Sequence, residues 1–183
     1  MEKLISKQLL SKVRSENLTE SVKMFSDAKV SRERKKYSFE VSIFLSHKHN
    51  ETEIIKQAIS LFKKLGVSVY VDWLDSEMPK TTNGYTAKKI KERIRECDKF
   101  ILLATEEAIQ SKWCNWELGY GDSQKYFKNI AIMPITNTEG GTYTGNEYLA
   151  IYPIITSAYT YSTGTYYVEF EGKKVKLSDW LKN

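Results

Sequence analysis

Residues 111–121, SKWCNWELGYG, concentrate side chains that could do chemistry: Trp113, Cys114, Trp116 and a single carboxylate, Glu117. On a helix Trp113 and Glu117 stand at i and i+4 and project from one face. That spacing has two readings. In one, the tryptophans are core aromatics and Glu117 is a first-turn acid favoured by the helix dipole. In the other, the aromatics wall a cleft and hold one carboxylate beside a sugar. A desolvated carboxylate there stabilises an oxocarbenium-like transition state during glycosidic cleavage.

The elements that would position such a site begin at Tyr37, where strand and helix patterns alternate. The apolar runs FEVSIFLS (39–46), VSVYVDW (67–73), KFILLAT (99–105) and NIAIMPIT (129–136) read as strands. Helical periodicity fills 51–65 and 85–97 and resumes near Trp113, and Gly66 suits the position after the first of these helices. This alternation predicts an α/β fold, a flavodoxin-like doubly wound parallel sheet with helices on both faces. In such sheets ligands bind beyond the carboxyl ends of the strands, where strand order reverses. The rule selects Ser46 and His47 after the first strand, Asp72, Trp73 and Asp75 after the second, and Thr105 after the third. The polar loop 75–84 between the second strand and the next helix is long enough to act as a flap.

Several familiar chemistries are excluded. There is no GxGxxG, no GxxxxGK[ST] and no GxSxG, so a Rossmann cofactor site, a P-loop and a hydrolase elbow are unsupported. His47 and His49 are the only histidines, and with no cysteine or carboxylate cluster nearby in the sequence they read as surface-loop residues rather than a metal site. No resident cofactor is expected.

The 183 residues carry 41% hydrophobic and 28% charged side chains, an ordinary balance for one globular unit. The net charge of +5 belongs to residues 1–36, which hold ten Lys/Arg against five Asp/Glu. The remainder is neutral, so no nucleic-acid surface is implied for the main fold. The leader 1–36 reads as two helices, with apolar residues at Ile5, Leu9 and Val13 and at Leu18, Val22 and Phe25. Asn17 and Glu20 have the form of a partial capping box, and 31–36 read as a solvated linker. Residues 137–183 read as an elaboration of the same domain, with a β-hairpin turning near Gly172 and a last short helix capped by Ser178. No stretch has the roughly 18 apolar residues of a membrane span. Cys97 and Cys114 are isolated, which suits free thiols in a reducing cytoplasm.

Residues 37–136 resemble the Toll/interleukin-1 receptor (TIR) domain family. YSFEVSIFLSHKHNE looks like the family's first box, and VSVYVDWLD resembles the strand that leads into its BB-loop flap. IKERIRECDKFILLATEEAIQSKWCNWEL resembles the helix, strand and Ser-x-Trp-Cys-x-x-Glu-Leu signature in their family order. The resemblance implies cleavage of NAD⁺ as substrate, with Glu117 of the W-x-x-x-E pattern as the catalytic residue. The products would be nicotinamide and ADP-ribose or a cyclic isomer of it. It further implies that Trp113 walls the site and that Ser46 and His47 lie near ribose or phosphates; the strand-end rule places Asp72 beside the same crevice. Trp73 and the flap would contact NAD⁺ or a neighbouring subunit in a self-associated form. A role in phage defence, signalling to a separate effector as TIR proteins of Thoeris systems do, fits the same resemblance. The flap lacks the Pro-Gly pair common in receptor members, with Pro79 and Gly84 apart. A non-enzymatic interaction module and a nucleoside transferase remain the alternative readings.

Overall fold

The computed structural model describes residues 2–12, 41–75, 78–79, 81, 83–139, 141–158 and 165–183. Its centre is three strands, β3 (Ser42–Ser46), β5 (Lys99–Ala104) and β6 (Ile130–Thr136), buried at almost every position. Burial on both faces explains why these segments read as continuous apolar runs rather than alternating ones. The pleat still divides them. Ile43, Leu45, Ile101, Leu103, Ala131 and Met133 face one layer, and Phe44, Phe100, Leu102, Ile130 and Ile132 face the other.

The first layer is α2 (Thr52–Lys64), which buries Ile55, Ala58, Ile59 and Phe62 at i, i+3, i+4 and i+7. It ends as the sequence predicts, with Gly66 at φ 77° just beyond the cap. The opposite layer is α3 (Gly84–Glu96) and α5 (Lys112–Gln124). Asn83 and Thr86 start α3 with a reciprocal capping box. Helix α5 lies close on the sheet at Gly121, where an added Cβ would sit 2.9 Å from the Phe100 ring.

Strand order is β4 (Ser68–Tyr70), β3, β5, β6, β7 (Ile154–Ala158), β8 (Thr165–Phe170) and β9 (Lys173–Lys176). The pairs from β4 to β7 are parallel, and β7, β8 and β9 are antiparallel. The chain leaves β3 toward β4 and returns to β5 on its other side, so the order reverses between β3 and β5. The doubly wound reading holds. The hairpin turns through Glu171 and Gly172, at φ 48° and 73°, the left-handed pair that suits the twist of a two-residue turn.

The leader differs from its helical reading. Residues Glu2–Lys3 form β1 on β7, Ile5–Ser6 form β2 on β6, and only Lys7–Ser11 form a helix, α1. Pairing of β6 with β5 stops at Pro134, and β2 takes over at Ile135 and Thr136, satisfying backbone groups that would otherwise be orphaned. Ser6 accepts from the Leu9 amide at 3.0 Å, so α1 starts only after it. Ile5 and Leu10 are fully buried with the α2 layer. The expected helix over 18–25, its capping box and the linker 31–36 lie outside the described residues. At the other end, α6 (Leu177–Lys182) begins one residue before Ser178, without a side-chain cap. Leu177 and Leu181 are both buried, and burying both at i and i+4 requires Leu177 to be helical. Among the described residues no helix is long and apolar enough to cross a membrane.

Candidate functional site

The reversal between β3 and β5 is where Ser46, His47, Asp72 and Glu117 meet. Ser46 ends β3 and His47 opens the loop to α2, and both are buried. Helix α5 starts at Ser111, whose hydroxyl accepts from the Cys114 amide, and its buried stripe is Cys114, Glu117, Leu118 and Gly121. Three of those four side chains suit a core; the fourth is an acid. Glu117 is 5% exposed, and its Oε2 accepts a 2.6 Å hydrogen bond from Ser46 Oγ.

Burial pushes the Glu117 carboxyl up to about 8, against the Ser46 hydrogen bond that favours the anion, and the charge of Asp72 adds to the rise. The same helix start ties down the β3 loop: Cys114 Sγ donates to the His47 carbonyl at 3.3 Å. Burial raises that thiol to about 11, which makes Cys114 a packing group and not a nucleophile.

The core reading fits Trp116, which is half-buried against the core cluster, but not Trp113. Trp113 is 38% exposed and meets Trp116 edge to face at 5.3 Å. With Lys112 and Ala87 of α3 they line an open, mostly apolar groove of about 350 Å³. Trp113 therefore stands beside the buried stripe rather than within it, about one turn N-terminal to Glu117.

His47 overturns its surface-loop reading, whereas His49 fits it. The His47 ring is 5% exposed, with Nδ1 2.8 Å from the Leu45 carbonyl. A carbonyl only accepts, so Nδ1 carries the proton and Nε2 presents a lone pair. Burial holds His47 below its ordinary pKa despite Asp72. Asp72, in the 3-10 turn Asp72–Leu74 after β4, places Oδ1 3.5 Å from His47 Nε2 and Oδ2 2.7 Å from the Nε2 of the exposed His49. The Asp72 hydrogen bond raises the pKa of His49. The carboxylate missing near the histidines in the sequence thus arrives from the neighbouring strand. The strand-end rule had already named it, and pairing that rule with the HxH would have found the cluster.

Trp73 lies in the same turn. Two selected residues serve the scaffold. Asp75 turns inward to Arg93, and Thr105 caps the short helix α4 (Glu106–Ile109) and donates to Glu51.

Comparison with known proteins agrees with this architecture. Residues 43–154 match the family model described as TIR domain. Over 116 residues the chain is 34% identical to a probable 3' cyclic ADP-D-ribose synthase, ThsB', of Bacillus cereus (strain MSX-D12), covering 62% of this chain and 59% of that protein. It is 29% identical over 102 residues to a putative cyclic ADP-D-ribose synthase, TIR2, of Cytobacillus dafuensis, covering 54% and 26%. A probable 2' cyclic ADP-D-ribose synthase, TcpO, of Methanobrevibacter olleyae is 27% identical over 106 residues, covering 55% and 30%. The chain thus spans between about a quarter and three fifths of these relatives' lengths. With more than half of its residues inside the matched region, and the strand order and helix layers described above, this chain belongs to the TIR domain family.

Proposed function

We propose that this protein cleaves the nicotinamide–ribose bond of NAD⁺, giving nicotinamide and ADP-ribose or a cyclic isomer of it, with Glu117 as the catalytic residue. The observation that carries this reading is the Glu117 carboxylate, buried at the strand-order reversal and held by one hydroxyl, Ser46. The names of the relatives, all cyclic ADP-D-ribose synthases, point to the same bond. Those names specify a 3' linkage in one relative and a 2' linkage in another, so similarity to both leaves the isomer of this product open.

Cleavage moves the C1'–N electron pair onto the nicotinamide nitrogen, which neutralises the ring, and leaves positive charge on the ribose carbon and ring oxygen. An ionised Glu117 stabilises that charge and accepts from the adjacent ribose hydroxyls. Attack by water gives ADP-ribose, and attack by a hydroxyl of the same molecule gives the cyclic product; either releases one proton. Ser46 orients Glu117 and is a positioning residue. His47 and Asp72 face the ribose and phosphates, Trp113 walls the pocket, and Trp73 with the flap contacts substrate or a neighbouring copy of the chain. Self-association, a cytoplasmic location and a product that signals to a separate effector in antiphage defence complete the proposal.

The test is chromatography of NAD⁺ incubated with concentrated wild type and with Glu117→Ala. Nicotinamide release by the wild type alone is the expected result. Equal release by both would remove Glu117 from the mechanism, and release by neither would favour an interaction module.

A further inference from the structure

We propose that His47, His49 and Asp72 form a binding site for a divalent transition-metal ion of the zinc class. The three residues each bring one ligand atom to a common point, and these atoms lie within 4.8 Å of one another. Tetrahedral zinc with bonds of ~2.0–2.1 Å to nitrogen and oxygen separates its ligand atoms by about 3.4 Å. His47 Nε2 and Asp72 Oδ1 already stand 3.5 Å apart.

The independent observation is His47 Nε2 itself. It is buried and, among the described residues, without a hydrogen-bond partner, which costs a folded chain unless something fills the position. The hydrogen bond from Nδ1 to the Leu45 carbonyl fixes the tautomer that leaves Nε2 free to ligate. Metal-bound histidines are oriented by an outer contact of this kind. His49 supplies the adaptable partner: its side chain is mostly exposed, so it can turn from its 2.7 Å contact with Asp72 to share an ion. Two imidazoles and one carboxylate suit zinc and its neighbours rather than magnesium or calcium, which prefer all-oxygen shells. Three protein ligands leave a fourth position open.

Because His47 and Asp72 are shared with the proposed NAD⁺ crevice, the test reads metal binding directly and not through cleavage. Tag-free protein stripped with a chelator is titrated with Zn²⁺ by calorimetry and with Co²⁺ by visible absorption. We expect one equivalent bound and a tetrahedral Co²⁺ spectrum without a thiolate charge-transfer band. His49→Ala, at an exposed position, should weaken binding about tenfold or more while circular dichroism stays unchanged. Asp72→Asn should weaken it similarly. Absence of binding by the wild type, unchanged affinity in His49→Ala, or a thiolate band would each overturn the site. A protein that binds zinc but leaves NAD⁺ intact would keep this inference and discard the proposed activity.

Discussion

Two carboxylates at the carboxyl edge of the sheet are equally buried and treated in opposite ways. Asp75, just beyond β4, accepts from Arg93 Nε at 2.9 Å and from the Tyr70 hydroxyl at 3.0 Å. Arg93 in turn donates to Glu96 and lies over the Tyr70 ring. Glu117, at the β3–β5 reversal, has one neutral donor among the described residues, and the nearby charge of Asp72 opposes its ionisation. A buried acid is tolerated when it is paired and hydrogen-bonded; one left with a single hydroxyl raises its pKa instead. Asp75 is built for the fold. Glu117 is held in a form that the fold alone would not select, which is the pattern expected of a group that must meet a cation.

The largest expected difference is in activity. Glu117→Gln keeps the shape and the Ser46 contact but cannot ionise, so NAD⁺ cleavage should fall by about three orders of magnitude or more, as for loss of other transition-state charge stabilisers. Arg93→Met should leave cleavage chemistry in place but remove the cation from buried Asp75. Breaking a buried pair costs about 3–5 kcal/mol, so the melting temperature should drop by roughly 6–20 °C at this chain length. If Arg93→Met left stability intact while abolishing cleavage, the contrast between the two acids would be reversed.

Stability against pH separates them next. The folded pKa of Glu117, about 8, lies above the ordinary carboxylate value of 4.5. Below pH 4.5 the group is protonated in both states and has no effect. Between the two values the unfolded chain has released the proton that the folded chain keeps, so stability falls as pH rises. Above pH 8 the loss is complete, on the order of 5 kcal/mol. Glu117→Gln should therefore be more stable than wild type at pH 8.5 and equal to it near pH 4. Denaturant melts at both values check this; equal stability at pH 8.5 would mean the carboxylate is relieved in solution.

Much of this was legible before any coordinates. Central strands buried on both faces leave long apolar runs, and amphipathic helices leave a 3.6-residue stripe, so β3 to β6, α2 and α3 could be placed. The strand-end rule then located Ser46, His47 and Asp72 without a structure. The missing parts depend on contacts remote in sequence. Residues 2–6 carry too few positions to show a period, and their strand state is decided by the ends of β6 and β7. Spacing puts Trp113 and Glu117 on one face, but it cannot say that Glu117 joins Cys114 and Leu118 against the sheet while Trp113 turns outward. The division between Asp75 and Glu117 is the clearest case. Asp75 stands two residues after Trp73 and Glu117 directly after Trp116, and only the fold shows that an arginine 18 positions on reaches Asp75.

The finest test addresses Ser46, the single donor to Glu117 among the described residues. Its hydrogen bond favours the anion, so removing it in Ser46→Ala should push the Glu117 pKa higher still. Cleavage requires the ionised carboxylate, and kcat/KM for the wild type should therefore climb with pH and level off above about 8. In Ser46→Ala the same limb should move to higher pH by about one unit or less, with part of the lost activity recovered in alkaline buffer. A purely structural serine would lower the whole profile without moving it. Arg93→Met offers the internal control, because the Asp75 cluster does not hold Glu117, and its pH limb should stay where the wild type has it.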